Sequence, residues 1–336
     1  MIISRTPFRI SFAGGGSDLP DFYRKSKGAV LSTTISKYMY ISVHPFFNRR
    51  QFQLKYSKTE LCNSLDEIKH PILKETLKFL GIKGGLEIVS MADIPAGTGL
   101  GSSSSFTVGL LHSLYSFNGK FVSKDKLASE ASMIEIEKLG EPIGKQDQYA
   151  AAYGGMNIIV FNRDGSVDVE PINIKQTTLQ KLEKNLMLFY TKVNRRADLI
   201  LKDQKEEIKL EKKFKTQNSM VKLVWEAADA LYSDDVDSFG KILHKNWVMK
   251  KSLSNMISNS MINKYYDRAL EYGALGGKLL GAGGGGFLLF YCEEKKQERL
   301  RNALFDLFEL KFSFDWQGSK IIYVGEKNWE EYGFFE

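Results

Sequence analysis

The chain has 336 residues, and its 47 lysines and arginines exceed its 40 aspartates and glutamates, so its formal net charge is +7. An apolar content of 43% excludes wholesale disorder, and 29 glycines with 7 prolines exclude collagen-like or proline-rich character. The length predicts about two domains, and the basic excess suits an anionic partner, which composition leaves open between nucleic acid, a membrane surface and a phosphorylated metabolite.

Predicted strands and helices interleave along the first half of the chain. Phe8, Ile10 and Phe12 alternate with Arg9 and Ser11, which predicts a half-buried strand with Arg9 on the face opposite the aromatic rings. The further elements predicted here are strands at Tyr38–His44 and Leu86–Val89, helices over Phe106–Phe117 and from an N-cap at Ser123 to Leu139, and a hairpin of Ile158–Phe161 and Val167–Val169 around Asn162–Gly165.

The pattern changes after about residue 175 into a longer helical stretch. The elements predicted here are a strand at Leu186–Thr191, helices to about residue 273, an apolar strand at Phe287–Cys292, a helix near Lys295–Phe308 and a strand at Lys320–Val324. The mixture predicts the α+β or α/β class. We place the domain boundary at 170–180, which gives an N-terminal domain of residues 1–175 and a C-terminal domain of residues 176–336.

The segment Pro95–Ser105 joins a predicted strand to a predicted helix through a glycine-rich turn and four serines. Unpaired N–H groups and the dipole at a helix N-terminus favour an anion, and glycine lets a phosphate approach the backbone. The G-x-G-x-x-G fingerprint fails because serines follow Gly101, and the P-loop pattern fails because no lysine follows it. The residues alone leave open a phosphate loop of a different kind and an ordinary turn capped by serine.

A run of five glycines in six residues, Gly281–Gly286, lies between apolar segments. Glycine loses much conformational entropy when it is fixed in such a setting. The run is therefore better explained by close approach of its backbone to another segment or to a ligand than by a flexible turn.

Two acidic residues are candidates for metal or proton chemistry. Glu135 shares a helix stripe with Ala131 and Leu139, which is an awkward place for a merely solvated carboxylate. Asp147 follows a glycine-containing turn. One carboxylate with a hydroxyl and nucleotide phosphates would suit magnesium, whereas each acid alone could also be an ordinary surface carboxylate.

The remaining residues argue against several classes of protein. The four histidines show no H-E-x-x-H spacing and no G-x-S-x-G sequence occurs, which disfavours zinc sites and hydrolase triads. Cys62 and Cys292 are far apart and favour a reducing compartment. The start of the chain does not resemble a secretory signal, and no stretch of about 20 apolar residues occurs. We therefore expect a cytoplasmic protein that does not enter a membrane.

Three segments together resemble the motifs of the GHMP small-molecule kinases, a family named for galactokinase, homoserine kinase, mevalonate kinase and phosphomevalonate kinase. Thr6–Asp18 resembles the first motif, Pro95–Ser104 resembles the phosphate loop P-x-x-x-G-L-G-S-S, and Gly281–Gly286 resembles the third motif. The resemblance covers nearly the whole chain. It implies a two-domain α+β fold, with an N-terminal ribosomal-protein-like βαβ domain that has a left-handed crossover, an exception to the usual hand, and a C-terminal ferredoxin-like domain.

The resemblance also implies roles for individual residues. The loop that would wrap the triphosphate of ATP contains Pro95, Gly97, Gly99, Leu100, Gly101, Ser102, Ser103 and Ser104. Ser103, with Ser102 as the alternative, and Glu135 would bind Mg²⁺. Asp147 would act on the sugar hydroxyl as a base or as an electrostatic anchor, and Arg9 would stabilise the charge that develops during transfer.

The first motif departs from the galactokinase pattern G-E-H-x-D. Gly15 and Gly16 replace its acidic residue and its histidine, while Asp18 remains. The form G-G-G-S-D resembles the branch of D-glycero-D-manno-heptose 7-phosphate kinases, with fucokinases as relatives. The substrate-binding residues that this resemblance implies are Gly15, Gly16, Asp18, Arg195, Gly283 and Gly284. The cations that could bind a 7-phosphate are Arg195, Arg196, Lys37 and Lys145, although a solvated surface charge explains each one alone.

We therefore expect a kinase that transfers the γ-phosphoryl group of Mg-ATP to the anomeric hydroxyl of the heptose 7-phosphate and gives the 1,7-bisphosphate. Its partners would be small molecules, without nucleic acid or membrane, and a homodimer is left open. The alternatives are a fucokinase-like enzyme for an unphosphorylated sugar and, in a different class, an RNA-binding protein. RNA binding is disfavoured because the basic residues are not clustered with aromatic ones, and a nicotinamide dehydrogenase is disfavoured by the failed fingerprint.

Overall fold

The computed structural model describes residues 1–193 and 197–325, with residues 197 and 198 described by their backbone alone. The elements of the first half are β1 (Ile2–Ala13), α1 (Pro20–Tyr23), β2 (Gly28–Pro45), β3 (Phe52–Lys55), β4 (Thr59–Cys62), α2 (Pro71–Phe79), β5 (Leu86–Ala92), α3 (Ser102–Phe117), α4 (Lys124–Ser132), α5 (Gln146–Tyr153), β6 (Met156–Phe161) and β7 (Val167–Pro171). Those of the second half are α6 (Gln176–Asn185), β8 (Leu186–Tyr190), α7 (Ala197–Glu207), α8 (Glu211–Tyr232), α9 (Val236–Leu253), α10 (Ser260–Glu271), β9 (Ala274–Leu279), β10 (Phe287–Cys292), α11 (Gln297–Ala303), β11 (Phe308–Glu309), β12 (Phe314–Asp315) and β13 (Lys320–Val324).

The larger sheet has nine strands among the described residues, with a central path β13-β1-β2-β5-β3-β4. β2 also pairs with β6 and β12, and β6 pairs with β7. β3 and β5 run parallel, and α2 lies in the connection between them. The left hand expected for such a crossover stays a prediction. β1 and β2 pair antiparallel along most of their length and are adjacent strands in the middle of the sheet.

The smaller sheet has the antiparallel order β11-β8-β10-β9. Its elements follow one another as strand, helices, strand, strand, helix and strand, and the last strand pairs with the first. This is the order of a ferredoxin-like layer, as the family resemblance implies, with α7–α10 in the first connection. Every residue of β10 is buried, because β10 lies between β8 and β9 in the sheet.

Several elements differ from their predicted bounds. The prediction that β1 is half-buried is wrong. Phe8, Ile10 and Phe12 are in the core, and Arg9 on the opposite face is buried as well, with only 4% exposure, because other chain segments cover that face. Helix α3 starts at Ser102 rather than after the serines. Helix α11 ends at Ala303, short of the predicted Phe308, which begins a strand instead.

The helix predicted from Ser123 is confirmed at its start. The Ser123 side chain accepts a hydrogen bond from the Lys126 N–H. After Ser132 the helix widens into a π-helical turn over Met133–Lys138, and Gly140 follows with φ +68°. This turn places Glu135 in the interior.

Sheet membership does not follow a single division of the chain. β12 and β13 come after the smaller sheet in sequence but pair with β2 and β1 of the larger one. The predicted boundary near 170–180 therefore stays a prediction. The two cysteines, Cys62 and Cys292, are free and buried. Among the described residues, none of the helices has the length and apolar character that crossing a membrane requires.

Candidate active site

A cavity of about 590 Å³ lies between the turn after β1, the loop before α3 and the glycine run after β9. The predicted site residues that line it are Arg9, Gly15, Gly16, Asp18, Gly97, Gly99, Gly101, Ser102, Ser103, Ser104, Glu135, Asp147 and Gly283. Three predicted residues do not line it: Leu100 is buried behind the loop, Pro95 is exposed, and the Gly284 N–H bonds to the Ile257 carbonyl. Arg195 lies outside the described residues.

Arg9 and Asp147 form a two-point ion pair in this cavity. The Arg9 Nε donates to Asp147 Oδ1 at 2.7 Å, and its Nη2 donates to Oδ2 at 2.6 Å. The remaining Nη1 donates to the Gly99 carbonyl at 2.7 Å. The guanidinium thus fixes the carboxylate in orientation and ties it to the loop before α3.

That loop and the glycine run pack backbone against backbone. Gly99 has φ +85°, and a Cβ there would lie 2.6 Å from the Leu280 carbonyl oxygen. A Cβ at Gly281 would lie 2.6 Å from Gly99 Cα, and one at Gly286 would lie 2.3 Å from the Thr98 carbonyl oxygen. The close approach of the run to another segment is therefore confirmed, and this contact explains the need for glycine on both sides.

Helix α3 begins at the cavity without a side-chain cap. Its N-cap is Gly101, with φ +77°, and it forms no capping hydrogen bond. The serines at 102–104 make up the first turn and line the cavity. The first N–H groups of a helix have no partner within the helix, so this end is suited to bind an anion. The interpretation of Pro95–Ser105 as an ordinary turn capped by serine is therefore wrong, because the N-cap is Gly101.

Glu135 is buried behind this helix end, with 1% exposure. Ser103 Oγ donates to its Oε1 at 2.6 Å, and Gln148 Nε2 donates to its Oε2 at 2.6 Å. Burial raises the pKa of Glu135 to about 7, against the opposing effect of these hydrogen bonds. A cation beside the carboxylate would remove this penalty.

Asp18 is the second buried acid of the cavity, with 3% exposure. Its carboxylate accepts hydrogen bonds from the Gly16 N–H and from the backbone and side chain of Gln146. Burial and the nearby Asp147 charge raise its pKa, while these hydrogen bonds lower it. A Cβ at Gly144 would lie 2.0 Å from Asp18 Oδ2, so glycine is required at that position.

The sequence reasoning missed two buried lysines that line the cavity. Lys250 on α9 is 5% exposed, and Lys278 on β9 is 2% exposed. An indication was available for Lys250, since it shares a helix stripe with Leu243 and Trp247, where a solvated lysine is not expected. Lys278 stands in an otherwise apolar strand next to the glycine run.

The cations considered earlier for a sugar phosphate do not reach the cavity in the described part of the chain. Lys145 Nζ donates to the Gly165 carbonyl at 2.8 Å and lies 5.4 Å from the centre of the Tyr23 ring. Neither Lys145 nor Lys37 lines the cavity. Arg196, like Arg195, lies outside the described residues.

Comparison with known proteins connects this site to a family. The family model "GHMP kinases N terminal domain" matches residues 66–155, and "GHMP kinases C terminal" matches residues 227–310. The D-glycero-alpha-D-manno-heptose 7-phosphate kinase of Campylobacter jejuni is 31% identical over 324 residues, 90% of this chain and 93% of that protein. The galactokinase of Pyrococcus furiosus is 26% identical over 93% of this chain and 95% of its own.

A solved structure shares the whole fold. The structure described as a D-glycero-D-manno-heptose 1-phosphate kinase from Bacteroides thetaiotaomicron superposes with a TM-score of 0.81 at 24% identity, and it covers 97% of this chain and 100% of that one. The two-domain fold and the cavity with its loop and ion pair define a small-molecule phosphotransferase. The chain belongs to the GHMP kinase family. It is a sugar kinase, a phosphotransferase that acts on a sugar hydroxyl, and kinases of this family use ATP as substrate.

Proposed function

We propose that this kinase transfers the γ-phosphoryl group of Mg-ATP to the anomeric hydroxyl of D-glycero-D-manno-heptose 7-phosphate and gives the 1,7-bisphosphate. The choice of sugar is supported by the relative from Campylobacter jejuni, which is named for this substrate, and by the G-G-G-S-D form of the first motif. The observation that carries the chemistry is the Arg9–Asp147 pair. Arg9 binds the Asp147 carboxylate and also the Gly99 carbonyl, so it connects this acid to the loop before α3.

The nucleotide would bind at the uncapped start of α3. The loop residues of this proposal are Pro95, Gly97, Gly99, Leu100, Gly101, Ser102, Ser103 and Ser104. The loop packs against Gly281 by close backbone contacts, which would orient its N–H groups before the phosphates arrive. Such preorganisation suits phosphoryl transfer, in which the protein contributes positioning and charge stabilisation.

The residues present fit a magnesium ion. Ser103 Oγ and Glu135 Oε1 are 2.6 Å apart, and both are hard oxygen donors. One carboxylate and one hydroxyl, completed by phosphate oxygens and water, form a donor set that suits magnesium. Ser103 and Glu135 would hold the ion, with Gln148 fixing the second oxygen of Glu135. The ion would supply neutralisation of phosphate charge.

Asp147 would accept the proton of the sugar hydroxyl or orient that hydroxyl for attack, and both roles require the fixed carboxylate that Arg9 provides. Asp18 and Gln146 form a hydrogen-bonded unit beside it that would bind other sugar hydroxyls. Gly15 and Gly16 would let the sugar approach the turn after β1. Gly283, Gly284 and Arg195 stay candidates from the family resemblance.

A transfer assay with Mg-ATP tests this function. The acceptors are heptose 7-phosphate, the same heptose without its phosphate, fucose and galactose, and the product is followed by mass spectrometry and ³¹P NMR. We expect turnover of heptose 7-phosphate with a new phosphate at the anomeric carbon. Turnover of fucose but not of the heptose phosphate would support the fucokinase-like alternative, and a phosphate at any other carbon would overturn the proposed position.

A further inference from the structure

Lys250 and Lys278 are buried lysines to which the proposed reaction has not yet assigned a role. Lys250 Nζ donates to the Gly281 carbonyl at 2.5 Å, and Lys278 Nζ donates to the carbonyls of Ser11 and Phe12 at 2.6 and 3.1 Å. Among the described residues, their hydrogen-bond acceptors are carbonyl oxygens and neither lysine forms an ion pair with a carboxylate. Burying an ammonium group without a counter-charge is costly.

The nearby carboxylates are occupied by other donors. Asp147 is held by Arg9, and Asp18 is held by Gln146 and by the Gly16 N–H. These acids are near enough to interact with Lys250 electrostatically, but their lone pairs serve other groups. An ammonium group has three N–H donors. Lys250 uses one of them on Gly281, which leaves two for the cavity.

Further donors without partners face the same space. Ser11 and Gln204 line the cavity and are buried, with 6% and 2% exposure, and neither Ser11 Oγ, which can donate or accept, nor the donor Gln204 Nε2 has a hydrogen-bond partner among the described residues. The acceptor Gln146 Oε1 of the same lining also has no partner there. Buried polar groups in native proteins are nearly always satisfied, so unpartnered ones in a cavity point to a ligand. Spare N–H donors on a buried lysine that has no direct carboxylate partner favour a ligand rich in acceptor oxygens, and an anionic one most of all.

We propose that Lys250, together with Lys278, Ser11 and Gln204, which line the same cavity, forms a subsite for phosphate oxygens. The inference rests on the proposed function and makes it more specific. Two sources of phosphate oxygen fit this chemistry, the phosphate already carried by the sugar and the phosphoryl group in transfer from ATP. Lys37 and Lys145 were considered as ligands of a sugar phosphate, but they do not line the cavity. The proposed subsite would bind that phosphate instead.

The test compares Lys250→Met with Lys145→Met, and Lys250→Arg restores the charge. Lys145 is the control, because its ammonium also bonds to a glycine carbonyl, but this lysine is less buried than Lys250 and lies outside the cavity. Each variant is assayed with Mg-ATP and with heptose in its phosphorylated and unphosphorylated forms. Circular dichroism and thermal unfolding verify that each variant is folded.

If the subsite binds the sugar phosphate, Lys250→Met raises KM for the phosphorylated heptose by about tenfold or more, because one charge-assisted hydrogen bond is lost. Kinetics with the unphosphorylated heptose are then unchanged. If it binds the transferred group, kcat falls for every acceptor that the wild type uses. In both cases Lys250→Arg recovers part of the loss and Lys145→Met behaves like wild type.

The proposal is overturned if folded Lys250→Met stays within about twofold of Lys145→Met in kcat and KM for all acceptors. If Lys250→Met does not fold, Ser11→Ala and Gln204→Leu serve the same comparison, and wild-type kinetics in both would overturn it. Failure of the proposed function is a separate result, because it is measured on the wild type alone as an absence of heptose 7-phosphate turnover.

Discussion

Arg9 and Asp147 are 138 positions apart in the sequence, yet both Asp147 oxygens accept hydrogen bonds from one guanidinium, at 2.7 and 2.6 Å. Gly101 lies directly against the pair, since a Cβ there would be 3.3 Å from both Arg9 Cγ and Asp147 Oδ2. Strand β1, the start of α3 and the start of α5 therefore meet at one point. The acid is fixed relative to the loop that would hold the phosphates.

Replacing Asp147 tests this arrangement. We expect Asp147→Asn to lower kcat by about 10²-fold or more, because the amide is neither a base nor a negative anchor for the sugar hydroxyl. Affinity for nucleotide should change little, since Asp147 would act on the acceptor. Steady-state kinetics and calorimetry with a non-hydrolysable ATP analogue measure the two effects. Glu137→Gln removes an exposed acid outside the cavity and is the control. Near-normal kcat in a folded Asp147→Asn protein would refute the assignment.

A serine substitution tests the proposed metal site. Ser103→Ala removes the hydroxyl that bonds Glu135 Oε1. We expect the magnesium concentration for half-maximal activity to rise by about tenfold, as when a metal ligand or its support is lost. Magnesium titrations at saturating ATP and sugar measure this. Ser102→Ala and Ser104→Ala are run in parallel, and an unchanged requirement in Ser103→Ala with a raised one in either of these would move the role to that serine.

The sequence predicts the parts of this site that depend on local pattern. The closely spaced glycines followed by serines identify the loop before α3. The apolar stripe around Glu135 indicates that this acid is not an ordinary surface carboxylate. The hairpin around Asn162–Gly165 is confirmed because its turn residues determine it locally.

What the sequence does not predict depends on contacts between distant segments. The stripe of α9 indicates that Lys250 is not solvated, but it does not show that Lys250 bonds to Gly281 or that Lys278 bonds to Ser11 and Phe12 of β1, since these contacts depend on tertiary packing. The pairing of β13 with β1 joins residues near opposite ends of the described chain, so no local pattern reports it. The bounds of α11 depend likewise on the pairing of β11 with β8.

The contact between the loop and the glycine run can be tested at Gly99. A Cβ there would lie 2.6 Å from the Leu280 carbonyl oxygen, and φ is +85°. Gly119 has a similar φ of +67° with nothing within 4 Å of a Cβ, so Gly119→Ala reports the backbone strain alone, about 1 kcal/mol. We expect Gly99→Ala to lower the free energy of unfolding by more than the control and to weaken nucleotide binding. Equal stability losses in the two variants, measured by denaturant unfolding, would contradict the packing described here.

The buried ammonium of Lys250 predicts a pH dependence of stability. Burial, followed by the positive charge of Arg9, lowers its pKa from 10.5 to about 8, against the opposing charges of Asp18 and Asp147. The pKa of Lys278 is also lowered, by burial and by the positive charge of Lys250. Between about pH 8 and 10.5 the unfolded chain therefore binds more protons at Lys250 than the folded protein does, and stability from this source rises with pH.

We therefore expect the free energy of unfolding of the wild type to rise relative to Lys250→Met across this range, by at most about 1.4 kcal/mol per pH unit. Below about pH 8 both states are protonated at Lys250, so the difference between wild type and variant should be flat there. Denaturant unfolding of both proteins at about pH 7 and about pH 9.5 measures the change. Lys145→Met is the control, because burial lowers the pKa of Lys145 as well but that lysine is half-buried, so its effect should be smaller. A difference between wild type and Lys250→Met that does not change with pH would mean that the Lys250 ammonium is not desolvated in the folded protein, and the anion subsite would then lose the buried donor on which it depends.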